Sequence, residues 1–298
     1  MNCQEENIVA GADIGGSHIT VALVNLKDKF LVKESTIRKD INSKGSESQI
    51  LDGWLSAVKE AIAWHDGRVN KLSFAMPGPF DYKRGISLIK GLDKFESIYG
   101  CNIKQYFADV LDMKPENILF RNDAEAFLHG EVFCGAARNL DKVIGLTLGT
   151  GFGSAISQNG ITTDLNLGSE PFLKSIADEY FTTRWFIKRF KELTGRDVCG
   201  VKEISGCIEE TKTCSIIFNE FSTNLASFLT PYLSEKQVFD IVLGGNISKA
   251  HHLFLANLKR YIKDNNLLVD IKLAELSEDA ALIGAAASFD ILVNSKVY

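Results

Sequence analysis

Two glycine turns, each wedged between apolar runs, constrain this chain more than anything else in it. The first is Asp13-Ile14-Gly15-Gly16-Ser17; the second is Leu148-Gly149-Thr150-Gly151-Phe152-Gly153-Ser154. Residues Ala12 to Ala22 and Leu146 to Ile156, 134 positions apart, share one pattern: apolar strand, glycine turn with a hydroxyl residue, second apolar strand. Glycine lets a backbone approach an anion closely and take positive φ, so its N–H groups can aim at phosphate oxygens. A lone glycine hairpin is usually no more than a turn. Two of them, one opening each half of 298 residues, point to a duplicated unit that clamps a nucleotide's phosphates from both sides. No Gly-Lys-Ser/Thr follows either turn, so neither is a Walker A loop, and neither matches the spaced Rossmann fingerprint.

The length suits two domains of ordinary size. Hydrophobic residues at 45% and charged residues at 24% can supply their cores. Net charge is −5 with mixed signs along the chain. The one local basic excess, Arg184, Lys188, Arg189 and Lys191, falls on a predicted helix and reads as a solvated face, so no nucleic-acid partner is expected. The polar, acidic opening Met1 to Asn7 is no signal peptide, and no run reaches the roughly 18 apolar residues of a membrane span. No membrane partner and a cytoplasmic location are the expectation. Cysteines 3, 101, 134, 199, 207 and 214 form no CxxC pair and read as reduced thiols. Cys199, Cys207 and Cys214 are too widely spaced, with no histidine near, to suggest zinc.

Apolar runs predict strands at Ile8 to Asp13, Ile19 to Leu26, Leu72 to Met76, Ile118 to Phe120, Val143 to Leu148, Val238 to Leu243 and Val269 to Leu273. Three- and four-residue steps from Ile50 to Ile62 predict an amphipathic helix. Tyr180 to Leu193 predicts another, stopped by Gly195. Ile217 to Tyr232 predicts a third, closed around Pro231, and Glu278 to Val293 a final alanine-rich one with acids in its first turn. Alternating strands and helices make the class α/β. No linker separates the halves, which are expected to share a broad interface with a cleft.

Strand ends are where such sheets bind ligands. Asn122-Asp123 follows an apolar strand directly. A carboxylate there could accept the proton of a sugar hydroxyl attacking a γ-phosphate, and an asparagine suits a hydroxyl as donor and acceptor; an ordinary Asx turn or helix cap is the plain alternative. Asp13 could hold Mg²⁺, directly or through water, beside phosphates cradled by Gly15 and Gly16, or simply cap a hairpin. Gly244-Gly245 could let a base or ribose lie on the backbone, or be a strand-to-helix turn. Glu170 is an acid between turns. The five histidines have no carboxylate or cysteine partner in sequence.

Taken together, these segments resemble the ROK family (repressor, open reading frame, kinase), of the actin-like, hexokinase-type ATPase fold. Ala12 to Ile19, including Asp13, Gly15, Gly16 and Ser17, is similar to its phosphate-1 motif. Pro77-Gly78-Pro79-Phe80-Asp81 with Gly85 resembles its sugar-side loop, and Asn122-Asp123-Ala124 its catalytic Asn-Asp-Ala. Leu148 to Gly153, with Gly149, Thr150, Gly151 and Gly153, resembles phosphate-2; Leu243 to Ser248, with Gly244 and Gly245, the adenosine-site turn; and Ala280 to Ala287 the closing helix. The likeness spans essentially the whole chain in order. It implies a two-domain actin-like (ribonuclease H-like) fold with an inter-domain cleft. The expected N-terminal domain takes 1–121 with 279–298, and the C-terminal domain takes 122–278. It also implies Asp123 as catalytic base, with Asn122, Glu170, Glu179 and Gly78 on the sugar.

This chain departs from the family where Glu170 is followed by Pro171-Phe172-Leu173 instead of Gly-His and a cysteine-rich zinc loop. No zinc is therefore expected. Glu125 stands where many relatives have asparagine. About a dozen residues precede Asp13, so the repressor branch's helix-turn-helix is not expected. The resulting expectation is an ATP- and Mg²⁺-dependent hexose kinase, glucokinase-like, acting on O6, and a homodimer. Its alternatives are a kinase of N-acetylated amino sugars and a catalytically weak sugar sensor without a DNA-binding domain.

Overall fold

The computed structural model describes residues 7–207 and 211–294. Cys3 and nearly all of the polar opening lie outside the described residues. In chain order the elements are β1 (Ile8–Ile14), β2 (His18–Asn25), β3 (Phe30–Asp40), α1 (Glu47–Ile62), β4 (Leu72–Met76), β5 (Phe80–Asp81), β6 (Ile86–Ser87), α2 (Ile103–Leu111), β7 (Ile118–Asn122) and α3 (Asp123–Cys134). Then follow β8 (Lys142–Leu148), β9 (Phe152–Gln158), β10 (Ile161–Asp164), β11 (Pro171–Phe172), β12 (Ser175–Ile176), α4 (Thr183–Thr194), α5 (Val201–Gly206) and α6 (Thr211–Lys236). The chain closes with β13 (Asp240–Gly244), α7 (Leu255–Asp264), β14 (Asp270–Leu273) and α8 (Asp279–Asn294).

These elements form two compact units, 1–138 with 278–298, and 139–277. The border therefore falls 17 residues later than the expected 121/122, and Asn122 and Asp123 belong to the first unit. The reason is packing. Helix α3 lies against α8 so closely that a Cβ on Gly130 would strike the Ala280 carbonyl, and one on Gly284 the Ala126 carbonyl.

The first unit is a five-stranded sheet in the order β3-β2-β1-β4-β7. Strands β1, β2 and β3 are antiparallel neighbours, whereas β4 and β7 run parallel to β1. Period-two alternation sorts β1 between two layers. Ala10, Ala12 and Ile14 join the core beneath α1, with Ile50, Leu51 and Trp54, while Gly11 faces the backbone of α8. Helix α1 starts on a capping box in which Ser46 Oγ accepts the Gln49 N–H and Gln49 reaches back to the Ser46 N–H.

The second unit repeats the plan, with order β10-β9-β8-β13-β14, an antiparallel β8-β9-β10 meander, and β13 and β14 parallel to β8. Its core is aromatic, gathering Phe181, Phe186, Phe190, Phe218 and Phe221. Gly195 ends α4 in the left-handed region at φ 73°, as the sequence predicts. Pro231 behaves differently from expectation, because α6 continues through it to Lys236. Proline withholds one N–H, that facing the Ser227 carbonyl, but Leu229 and Leu233 on either side are fully buried, and that burial outweighs one lost bond.

Candidate active site

In the first unit the parallel strands β1, β4 and β7 end at one edge of the sheet, and the candidate residues stand along that edge. Register places Asp13 opposite Ala75, Ala75 opposite Arg121, and Met76 opposite Asn122. Asp13 thus shares the sheet's C-terminal edge with Pro77-Gly78 and Asn122-Asp123. The first glycine turn closes β1 onto β2 by a Gly15 N–H···O=C His18 bond of 2.9 Å. Gly16 and Ser17 are exposed beyond it, and a Cβ on Gly16 would meet nothing within 4 Å.

Asp123 is the first residue of α3, exposed, with Oδ1 accepting the Ala124 N–H at 2.8 Å. A helix N-terminus carries partial positive charge that favours an anion there. Asn122 is the N-cap, its Oδ1 accepting the N–H groups of Ala124 (2.9 Å) and Glu125 (3.2 Å). Its Nδ2 donates to Tyr82 Oη at 3.3 Å, and Tyr82 donates onward to the Met76 carbonyl at 3.2 Å. The plain capping role of Asn122 is therefore real, and its acceptor lone pairs serve α3. What this leaves for a ligand is the second Nδ2–H.

Asp13 is the most perturbed acid of the edge. Burial, then the nearby Asp123, push its carboxyl from an ordinary 3.8 up to about 7, with Arg38 opposing and Glu278 adding a little. Two acids crowded at the mouth of a sheet suit a hard divalent cation bound with a phosphate. Mg²⁺ keeps several waters and needs only one or two carboxylates, so Asp13 fits that ion, directly or through water. Behind them the half-buried Arg121 pairs with Glu125 at 3.2 Å, which gives the unexpected Glu125 a structural partner. Burial and the Arg121 charge hold the interior His129 down at about 3, so it is a neutral core residue.

The second unit gathers the remaining candidates. Gly149 donates its N–H to the Gly151 carbonyl at 3.1 Å, forming the second turn, with Thr150 and Gly151 exposed and Gly153 paired to Thr147. Gly244 ends β13, and Gly245, at φ 82°, lies so close on the Leu148 backbone that any Cβ would collide. The predicted adenosine-site turn thus abuts the phosphate-side turn. Glu170 is exposed, its carbonyl accepting the Ala177 N–H at 2.9 Å across the β11–β12 hairpin. Glu179 is exposed and lies 3.5 Å from Arg184.

Two residues of this region escape sequence reasoning. Asp178 accepts the Phe152 N–H, and Tyr82 holds Asn122. Asp178 lies 26 residues from its partner, and no period or motif links them. Among the described residues, no group of three or more His, Cys, Asp or Glu could hold a metal ion.

Duplicated five-stranded sheets with this order and these turns define the actin-like, ribonuclease H-like ATPase fold. Residues 9–168 match the ROK family model, and the chain belongs to the ROK family. It is 22% identical to the glucokinase of Thermotoga maritima, covering 93% of this chain and 95% of that protein. It is 23% identical to the N-acetyl-D-glucosamine kinase of Histophilus somni, over 94% of this chain and 98% of that one. Among solved structures, the ROK glucokinase of Streptomyces griseus in complex with glucose and AMPPNP superposes with a TM-score of 0.74 at 21% identity, covering 94% and 98% of the two chains.

Proposed function

We propose that this protein transfers the γ-phosphoryl group of ATP to O6 of a hexose, with glucose the first candidate. The observation that carries the reading is Asp123, set at the N-terminus of α3 on the sheet edge it shares with Asp13 and the first glycine turn. Its exposed carboxylate accepts the hydroxyl proton as the sugar oxygen bonds to the γ-phosphorus and the bond to the β-phosphate oxygen breaks, releasing ADP. Glu170, Glu179, Gly78 and the spare Asn122 N–H orient the sugar. Gly15 closes the first turn, the backbone N–H groups of Gly16 and Ser17 and of Thr150 and Gly151 face the phosphates, and Gly244 and Gly245 take the adenosine. Mg²⁺, when bound with ATP at Asp13, neutralises phosphate charge.

A second reading within the same chemistry, an N-acetylated amino sugar as acceptor, has support from the name of the Histophilus somni relative. A coupled assay of ATP–Mg²⁺ with glucose, mannose, N-acetylglucosamine and N-acetylmannosamine separates the two. Turnover of none of them would overturn the kinase reading and leave the sensor. We further propose that the enzyme is a cytoplasmic homodimer and contains no zinc. Light scattering checks the first part, and elemental analysis after chelator dialysis, with the melting temperature unchanged, checks the second.

A further inference from the structure

Phe152, in the second glycine turn, is tied in three separate ways to the segment that carries Glu170 and Glu179. Its N–H donates to Asp178 Oδ1 at 2.7 Å. Its carbonyl oxygen lies under Gly168, where a Cβ would come within 2.7 Å. Its ring meets Phe181 at 5.1 Å and Phe228 at 6.0 Å, and Phe172 of the β11–β12 hairpin packs on the same two rings at 5.3 and 5.4 Å. The other end of the turn is held too, because the Thr183 N–H and hydroxyl both donate to the Gly149 carbonyl, at 2.8 and 3.1 Å.

Asp178 is the centre of this arrangement. While Oδ1 takes the Phe152 N–H, Oδ2 takes Arg184 Nη2 at 2.7 Å. Arg184 also reaches Glu179 at 3.5 Å. One carboxylate therefore joins the backbone of the phosphate-side turn to an arginine that touches a candidate sugar ligand. With the Phe152 peptide plane fixed, the exposed N–H groups of Thr150 and Gly151 at the tip are fixed as well. A loop ordered at one end demands less ordering at the other when a ligand arrives.

We propose that Asp178 is a positioning residue that couples the two substrate sites of the second unit, so that sugar held by Glu170 and Glu179 tightens nucleotide binding at the turn 149–153. This rests on the sugar-kinase reading above. Binding free energies are reciprocal, so nucleotide must tighten sugar by the same factor.

The test is calorimetric titration of AMPPNP–Mg²⁺ into the full chain, with and without the sugar that wild type turns over fastest, beside kinetics in both substrates. Wild type should bind the nucleotide about five- to twentyfold tighter with sugar, within the usual range of such coupling. In Asp178→Ala that factor should fall below about twofold, and KM should rise for both substrates. Asp178→Asn keeps an acceptor for Phe152 and loses the Arg184 pair, so it should restore part of the coupling. Arg184→Met should match Asp178→Asn, and it carries the test if Asp178→Ala does not fold. Coupling of wild-type size in Asp178→Ala or Arg184→Met, or a fall in kcat alone, would overturn the inference and leave the kinase reading intact. Absence of turnover in wild type would overturn both.

Discussion

The two glycine turns occupy equivalent places in equivalent sheets, yet they are supported very differently. At the first, only backbone bonds hold the turn, Gly15 N–H to the His18 carbonyl and Ile41 N–H to the Ser17 carbonyl, and Gly16 and Ser17 project with open space around Gly16. Behind it on the sheet edge stand two acids, Asp13 and Asp123. At the second, the tip is exposed too, but both ends of the turn are anchored. Asp178 holds its N–H, Gly168 presses on its carbonyl, Thr183 grips Gly149, and Gly245 rests on Leu148. The strands that follow diverge in the same sense. Strand β4 runs into Pro77-Gly78-Pro79, whereas β13 runs into the tightly seated Gly244-Gly245. One scaffold occurs twice; one copy sets acids at its edge, and the other anchors its turn to the loops around it.

If the first unit carries the proton transfer, the largest effect should come from Asp123→Asn. That change keeps the shape and removes the base, and kcat should fall by roughly 10²–10⁴ while sugar affinity holds. Steady-state kinetics with near-wild-type turnover would break this half of the comparison. Glu170→Gln probes the other half. Sugar affinity should weaken by about 1–3 kcal/mol, the scale of a lost charged hydrogen bond, with nucleotide affinity measured without sugar unmoved. Intact sugar binding in that variant would remove Glu170 from the sugar site.

The contrast in rigidity itself can be sharpened with a matched pair. Gly168→Ala drives a methyl onto the Phe152 carbonyl and should cost about 1–3 kcal/mol of stability, as overpacking does. Gly16→Ala has space and should change stability by less than about 0.5 kcal/mol. Equal melting temperatures for the two would show the second turn to be as loosely held as the first.

A smaller effect concerns Asp13 in the metal-free protein. Its carboxyl titrates near 7 when folded and near 3.8 when unfolded, so the native state keeps the proton longer. Stability from this group is full below about 4, declines as pH rises, and is lost above about 7. Asp13→Asn should therefore match wild type near pH 4 and melt higher at pH 8. Parallel melting curves across that range would show that the carboxyl is not buried and crowded as described.

Local chemistry read along the chain determined a good deal. Helix positions followed where one face is apolar, as in α1 and α4, because periodicity records a single buried face, and β4, buried on both faces, showed as a short continuous apolar run. Both glycine turns were legible as glycine and hydroxyl residues set between apolar runs, and the Asn122-Asp123 cap because few side chains can accept the first N–H groups of a helix. Helix α3 was not, since it is buried on almost every side and so shows no period. Pro231 misled for a related reason: a local penalty was outweighed by long-range burial that no window of sequence contains. The tertiary structure alone decided that Asp123 belongs with Asp13, through α3 and α8 meeting at Gly130 and Gly284. It alone decided that Tyr82 holds Asn122 and that Asp178 joins two loops. Those outcomes depend on which distant groups compete for the same hydrogen bond or the same space, and that competition exists only once the chain has folded.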